Sequence, residues 1–308
     1  MNNFSKILLT NLLLILTIPA QALIETTKTT TTTTVTTVVS EEVKPKLSLK
    51  ATTIKQGDYI YATVTGLKDS PKIWFNSREF RMFEIPCADK EAISKQKTFR
   101  ALLPVENLTK PGAYSVLARS GDWEQRIPVT IKDNAKPISK IWTKGPDIVP
   151  TEKELNLIGS ALGTKSAEKL WVGKFAYPSL ARKSSPFGVK RSYNGKPVDS
   201  YHKGLDFAAA TGSAVFAPAE GKVILTGQVK DGFKLHGNTV MLDHGQGVVT
   251  IYMHLSKILV KEGDIVTKGQ KLGEVGSTGI ATGPHLHWGL YLYGTSTEPE
   301  NFIKEELI

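Results

Sequence analysis

The sequence predicts a mainly β protein built in two parts, with a short helical connector between them. Short apolar runs recur between glycine- and proline-bearing turns in both parts. One helix signature stands out at Thr151-Glu152-Lys153-Glu154, where a capping threonine is followed three residues later by glutamate. All 6 histidines fall between His202 and His287, which marks the second part as the one that carries chemistry.

Residues 1–22 read as a secretory signal peptide: Lys6, an apolar run from 7 to 18, then Ala20-Gln21-Ala22 as a small-x-small cleavage site. The run is shorter than the ~20 residues a membrane span needs. The expectation is therefore export, with no stable membrane insertion once the signal is removed. Residues 23–46 form a threonine-rich, low-complexity linker; positions 29–34 are all threonine, and the stretch has no aromatics and no alternation to define a core face. Cys87 is the only cysteine, so no intramolecular disulfide can form, and Ile85-Pro86-Cys87 suits a buried small hydrophobe. The net charge of +10 favours anionic partners. An export signal sets nucleic acid aside, and the mature protein is expected to be a monomer.

Residues 47–135 alternate in short strands: Leu47, Leu49 and Ala51, then Tyr59-Ile60-Tyr61-Ala62-Thr63-Val64, Lys72-Ile73-Trp74-Phe75, Thr98 to Leu103, Tyr114 to Ala118, and Gln125 to Ile131. Strands of this length and spacing predict an immunoglobulin-like β-sandwich. It carries no chemical motif, and the readings open for it are a plain spacer or a module that tethers the second part or shields it. Residues 136–173 form the connector, where Leu155, Leu157, Ile158 and Leu162 give the expected apolar face of a short helix ended by Gly163. Residues 174–308 are again β-rich, with glycine-bounded strands at 214–218, 221–225, 239–242 and 249–253. The two parts are expected to have separate cores, so that the second folds alone.

Within that second part, His285-Leu286-His287 places two imidazoles on one face of a strand, with Leu286 on the other. Gly204 discourages a helix across His202-Lys203-Gly204-Leu205-Asp206, and Leu205 and Phe207 alternate with Asp206. His254 follows Tyr252 on one strand face, with Ile251, Met253 and Leu255 expected toward the core. Imidazole nitrogen and carboxylate oxygen are zinc ligands, and a hydrolytic zinc site keeps three protein ligands plus a water. The constellation offers that number with histidines to spare.

Residues 184–303 resemble the lysostaphin-type (LytM-like) zinc endopeptidases of bacterial cell walls. The matching motifs are Ser185-Pro186-Phe187-Gly188, His202-x-x-x-Asp206, Gly237-Asn238-Thr239-Val240, Asp243-His244-Gly245-Gln246-Gly247, Tyr252-Met253-His254-Leu255, Gly276-Ser277-Thr278-Gly279 and Thr282-Gly283-Pro284-His285-Leu286-His287-Trp288-Gly289. The resemblance implies an antiparallel, barrel-sandwich-like catalytic domain and an exported zinc metalloendopeptidase acting on peptidoglycan in the periplasm or at the cell wall. It also implies one Zn2+ held by His202, Asp206 and His287, with His254 and His285 as catalytic acid/base groups. No HExxH helix is present, so the base has to be histidine. His244 is expected to bond within its turn and His236 to lie at the surface. Residues 260–273 also resemble the half-motif of biotin- and lipoyl-carrier domains, but no lysine is displayed on a tight hairpin there. The competing function is a noncatalytic cell-wall-binding or amidase-activating protein on the same fold, which an intact ligand set argues against.

Overall fold

The computed structural model describes residues 44–85, 97–142 and 149–306. The expected signal segment, nearly all of the linker, and Cys87 lie outside the described residues. Among the described residues no helix is long and apolar enough to cross a membrane.

The front half holds β1 (Lys46–Leu49), β2 (Thr53–Lys55), β3 (Tyr59–Leu67), β4 (Lys72–Phe75), β5 (Arg78–Arg81), β6 (Phe83–Ile85), β7 (Lys97–Pro104), β8 (Gly112–Ser120) and β9 (Trp123–Lys132). They form two sheets, in the orders β1-β3-β7-β6 and β2-β9-β8-β4-β5. Alternation does the folding work. Ile60, Ala62 and Val64 of β3 meet Val116, Ala118, Val129 and Ile131 of the facing sheet in one buried cluster. The two sheets thus share one apolar interior.

The connector contributes β10 (Ile138–Ile141), which the sequence reading missed, and α1 (Glu152–Leu162). The capping box at Thr151 and Glu154 forms as expected. The buried face of α1 keeps only part of the expected stripe, however, with Ile158 buried and Leu162 packed beside it. Glu154, Ile158 and Ala161 are buried, whereas Leu155 is 53% exposed. A buried carboxylate turns the helix about its axis, and Leu155 goes outward as a result.

The back half runs β11 (Arg182–Ser185), β12 (Lys190–Tyr193), β13 (Ser200–Tyr201), β14 (Leu205–Ala208), β15 (Ala214–Phe216), β16 (Gly221–Gly227), β17 (Asn238–Gly245), β18 (Val248–Ile258), β19 (Ile265–Val266), β20 (Lys271–Val275), β21 (His285–Leu292), β22 (Thr295–Thr297) and α2 (Glu300–Lys304). Its main sheet is ordered β11-β14-β21-β18-β17-β16-β19, while β10 pairs in parallel with β12 in a small sheet of its own. One face of the main sheet, with Leu205, Phe207, Tyr252, Leu286 and Trp288, joins the larger core. The other face packs Met241, Val249, Ile251 and Tyr291 under Ile158 and Ala161 of α1.

The expected separation of cores is not found. Buried residues of the sandwich and of the back half belong to one continuous cluster, and 43–308 is a single compact unit. Polar contacts cross as well: the Thr297 hydroxyl donates to the Gly57 carbonyl at 2.9 Å, and the Asn301 amide donates to Asp58 at 2.7 Å. The Tyr293 hydroxyl donates to the Arg81 carbonyl at 2.8 Å while its ring meets Phe80 edge-on.

Candidate metal centre and active site

β14 and β21 pair antiparallel with Asp206 opposite His287 and Ala208 opposite His285, so all four side chains share one face. Met253 of β18 lies opposite His287 on the other side of β21. Three neighbouring strands thus present the site at one level, on the same sheet face that carries α1. His202 reaches it from the loop before β14. Gly204 lies in that loop because nothing larger fits: a Cβ there would stand 2.4 Å from the Trp288 carbonyl oxygen and 2.7 Å from His287 Nε2.

His202 Nε2 is 3.0 Å from Asp206 Oδ1 and 3.1 Å from His287 Nδ1, and His287 Nδ1 is 2.9 Å from Asp206 Oδ1. His202 Nδ1 lies 2.8 Å from the Pro186 carbonyl oxygen. A carbonyl only accepts, so Nδ1 carries the proton and Nε2 of the neutral ring turns a lone pair toward the carboxylate. Lone pair against lone pair in a buried place is an arrangement that a cation relieves. The donor set, two imidazoles and one carboxylate within 4.8 Å of one another, suits zinc. Tetrahedral ligands ~2.0–2.1 Å from a zinc stand ~3.3 Å apart, close to the separations seen.

Burial alone would raise the Asp206 carboxyl, but the imidazoles of His202 and His287 beside it overcome that effect and hold the group well below the usual carboxylate range. Burial lowers His287 to about 4 against the opposing pull of Asp206, so the ring is neutral and able to ligate at neutral pH. The three residues that the resemblance designates as ligands are therefore brought together.

His254 and His285 flank them. Their rings are 4.7 Å apart, His254 lies 6.4 Å from the His287 ring, and His285 Nε2 is 3.9 Å from Asp206 Oδ1. Each donates Nδ1–H to a carbonyl, His254 to Thr278 and His285 to Gly283, both at 2.9 Å. With Nδ1 so engaged, the neutral form of each ring carries its lone pair on Nε2. Burial is the main cause that lowers His254 to about 4, so it is unprotonated at neutral pH.

The route by which His254 reaches the site corrects the expected alternation. Tyr252 points into the larger core, and Ile251 and Met253 are on the site face, the reverse of the expectation. Regular alternation would bury His254 beside Tyr252. Instead β18 bulges: Asn238 faces Leu255 and Val240 faces Tyr252, so Met253 and His254 together oppose one residue. His254 adopts φ +65°, in the left-handed region, and its ring returns to the site while Leu255 takes the core face. Tyr252, whose hydroxyl bonds Thr250 at 2.9 Å, has no place in the site.

The remaining histidines are structural. His244 is buried, with Nδ1 donating to the Glu220 carbonyl at 2.6 Å and Nε2 2.8 Å from the Thr250 hydroxyl, so its bonds leave its own turn. His236 is only 15% exposed and donates Nδ1–H to the buried Glu154 at 2.7 Å, which corrects the surface expectation. The groups that orient the rings of the site, the carbonyls of Pro186, Thr278 and Gly283, were not expected from the sequence. Backbone carbonyls leave no residue-type signal, but Pro186, Thr278 and Gly283 all fall inside the motifs quoted above.

Residues 200–299 match the model of peptidase family M23. Over 137 residues the chain is 42% identical to an uncharacterised metalloprotease of Haemophilus influenzae, covering 44% of this chain and 28% of that one. Over 134 residues it is 37% identical to the peptidoglycan DD-endopeptidase ShyA of Vibrio cholerae, covering 44% and 30%. The chain thus spans less than a third of the length of these two relatives. A Pseudomonas aeruginosa crystal structure described as a candidate M23 peptidase superimposes with a TM-score of 0.56 at 30% identity, over 76% of this chain and 88% of that one.

Proposed function

Because the chain belongs to peptidase family M23, we propose that it is an exported zinc metalloendopeptidase that hydrolyses peptide bonds in peptidoglycan. The observation that carries this is the convergence of His202, Asp206 and His287, with the imidazoles of His254 and His285 beside them. Zinc would be held through His202 Nε2, Asp206 Oδ1 and His287 Nδ1. When bound, the metal supplies a water of lowered pKa and polarises the scissile carbonyl. Of the two flanking histidines, one takes the proton of the attacking water as the carbonyl carbon becomes tetrahedral. That proton then passes to the leaving amine as the C–N bond breaks, while the other ring lies where it can hydrogen-bond the oxyanion. The carbonyls of Thr278 and Gly283 keep both rings in the tautomer this requires.

The substrate reading rests on the relatives named DD-endopeptidases, which favours cross-links containing D-amino acids. The basic surface suits an anionic polymer, and the 1–22 pattern supports export. The test is digestion of purified sacculi, with released muropeptides identified by mass. Cross-linked dimers should convert to monomers, chelation should abolish the conversion, and zinc should restore it. Intact dimers after incubation with the zinc-loaded protein would refute the reading.

A further inference from the structure

Glu154 is the N3 residue of α1, and its carboxylate is fully buried. A capping-box glutamate ordinarily reaches back to one backbone N–H. This one does so, to Thr151 at 3.3 Å, and also accepts from the backbone N–H groups of Lys234 at 3.0 Å, Leu235 at 3.1 Å and His236 at 2.8 Å. The His236 imidazole adds a further bond at 2.7 Å. Burial pushes the carboxyl up, yet these donors, His236 foremost, hold it below its ordinary value.

The loop so gripped is what presents His254. The His254 N–H donates to the His236 carbonyl at 3.0 Å, at the residue whose φ is +65°. The Leu235 carbonyl accepts from Ile280 at 3.0 Å, and the Thr278 hydroxyl accepts from Asn238 N–H at 2.9 Å. Thr278 is also the residue whose carbonyl orients the His254 ring. Gly237 and Gly279 make this contact possible: a Cβ on Gly237 would stand 2.4 Å from the Thr278 carbonyl oxygen, and one on Gly279 2.4 Å from Gly237 N.

We propose that Glu154, on the connector helix and outside the stretch that matches the family, is a positioning residue: through the 234–236 loop it fixes both the bulge and the ring orientation of His254. This rests on the zinc-peptidase reading for the role of His254. A neutral amide cannot replace the carboxylate, because its NH2 group would face backbone donors with nothing to accept them.

The test compares full-length zinc-loaded wild type with Glu154→Gln and Glu154→Ala, and uses Ile158→Ala as a variant that loosens the helix but keeps the carboxylate. For the Glu154 variants kcat on a soluble cross-linked muropeptide should fall about 10- to 100-fold, with KM little changed and zinc content intact. Histidine side-chain 15N spectra should show His254 as a single Nδ1–H tautomer in wild type and Ile158→Ala, and as a mixture in both Glu154 variants. A folded, zinc-loaded Glu154→Gln with kcat within about twofold of wild type and an unchanged His254 signal would overturn the proposal. Should neither Glu154 variant fold, hydrogen exchange on wild type decides. The amides of 234–236 and 254 should open together with the first turn of α1, and a His254 amide still protected after 234–236 have exchanged would overturn it. Wild type lacking zinc or peptidase activity would instead remove the enzymatic reading, with the tautomer and exchange results standing apart from it.

Discussion

At the scale of single residues, the site separates holding a metal from moving a proton. Asp206→Ala removes the only carboxylate among the converging atoms, so elemental analysis should show about one zinc in wild type and a marked loss in the variant. Equal zinc in both would take Asp206 out of the site. His254→Ala and His285→Ala should keep the zinc and lose about 10²–10⁴-fold in turnover, measured on the same muropeptide. His244 makes a different prediction. Burial lowers it from 6.5 to about 4, so the unfolded chain takes up a proton that the folded one refuses as pH falls from 6.5 toward 4. Its contribution is whole above pH 6.5 and shrinks below, by roughly 3 kcal/mol at the acid end of that window. Urea midpoints at pH 7 and pH 4.5 should differ less in His244→Gln than in wild type. The three converging residues were legible through the resemblance, which singles them out from histidines that spacing and residue type alone leave equivalent. The way His254 faces was not, because period-2 alternation carries no sign of a one-residue bulge.

At the scale of elements, α1 shows what a sequence pattern can and cannot say. Its start was readable to the residue, since a capping box is a local exchange of hydrogen bonds. Its buried face was misread in part because hydrophobicity alone picks Leu155, whereas the helix turns to sink Glu154 among the amides of a loop 80 residues away. The two readings predict opposite mutational outcomes. Ile158→Ala should cost ~2–4 kcal/mol by denaturant unfolding, while Leu155→Ala at the exposed position should stay within ~0.5 kcal/mol. β10 escaped notice for a related reason. Its parallel partner β12 lies about 50 positions later, and nothing in a four-residue strand announces a distant mate.

At the scale of the molecule, the sandwich packs directly on the loop beside His202, a contact that the tether and shield readings did not anticipate. Phe187 packs so closely on Gly57 that a Cβ there would stand 2.6 Å from the ring, and the buried Asn107 donates to the Gly188 carbonyl at 3.3 Å. Gly188 N–H in turn donates to the His202 carbonyl at 2.8 Å, next to the Pro186 carbonyl that orients the His202 ring. A fragment beginning at residue 174 should therefore lose thermal stability and zinc affinity together, and Asn107→Ala should weaken zinc binding in a chelator competition without touching a ligand. A fragment as stable and as tight for zinc as the whole chain would show the sandwich to be dispensable. The composition of each half was legible in the sequence; their fusion was not, since apolar residues at a seam look like those of any core. The pairing of Asp206 with His287 reaches across 81 positions, and it has a temporal consequence. During synthesis, a chain halted between residues 206 and 287 holds two of the three converging residues and lacks the last, so it cannot close the site. Competence arrives in one step, late, when β21 slots between β14 and β18. Ribosome-stalled chains of increasing length should gain zinc binding abruptly at that point, with no partial affinity beforehand.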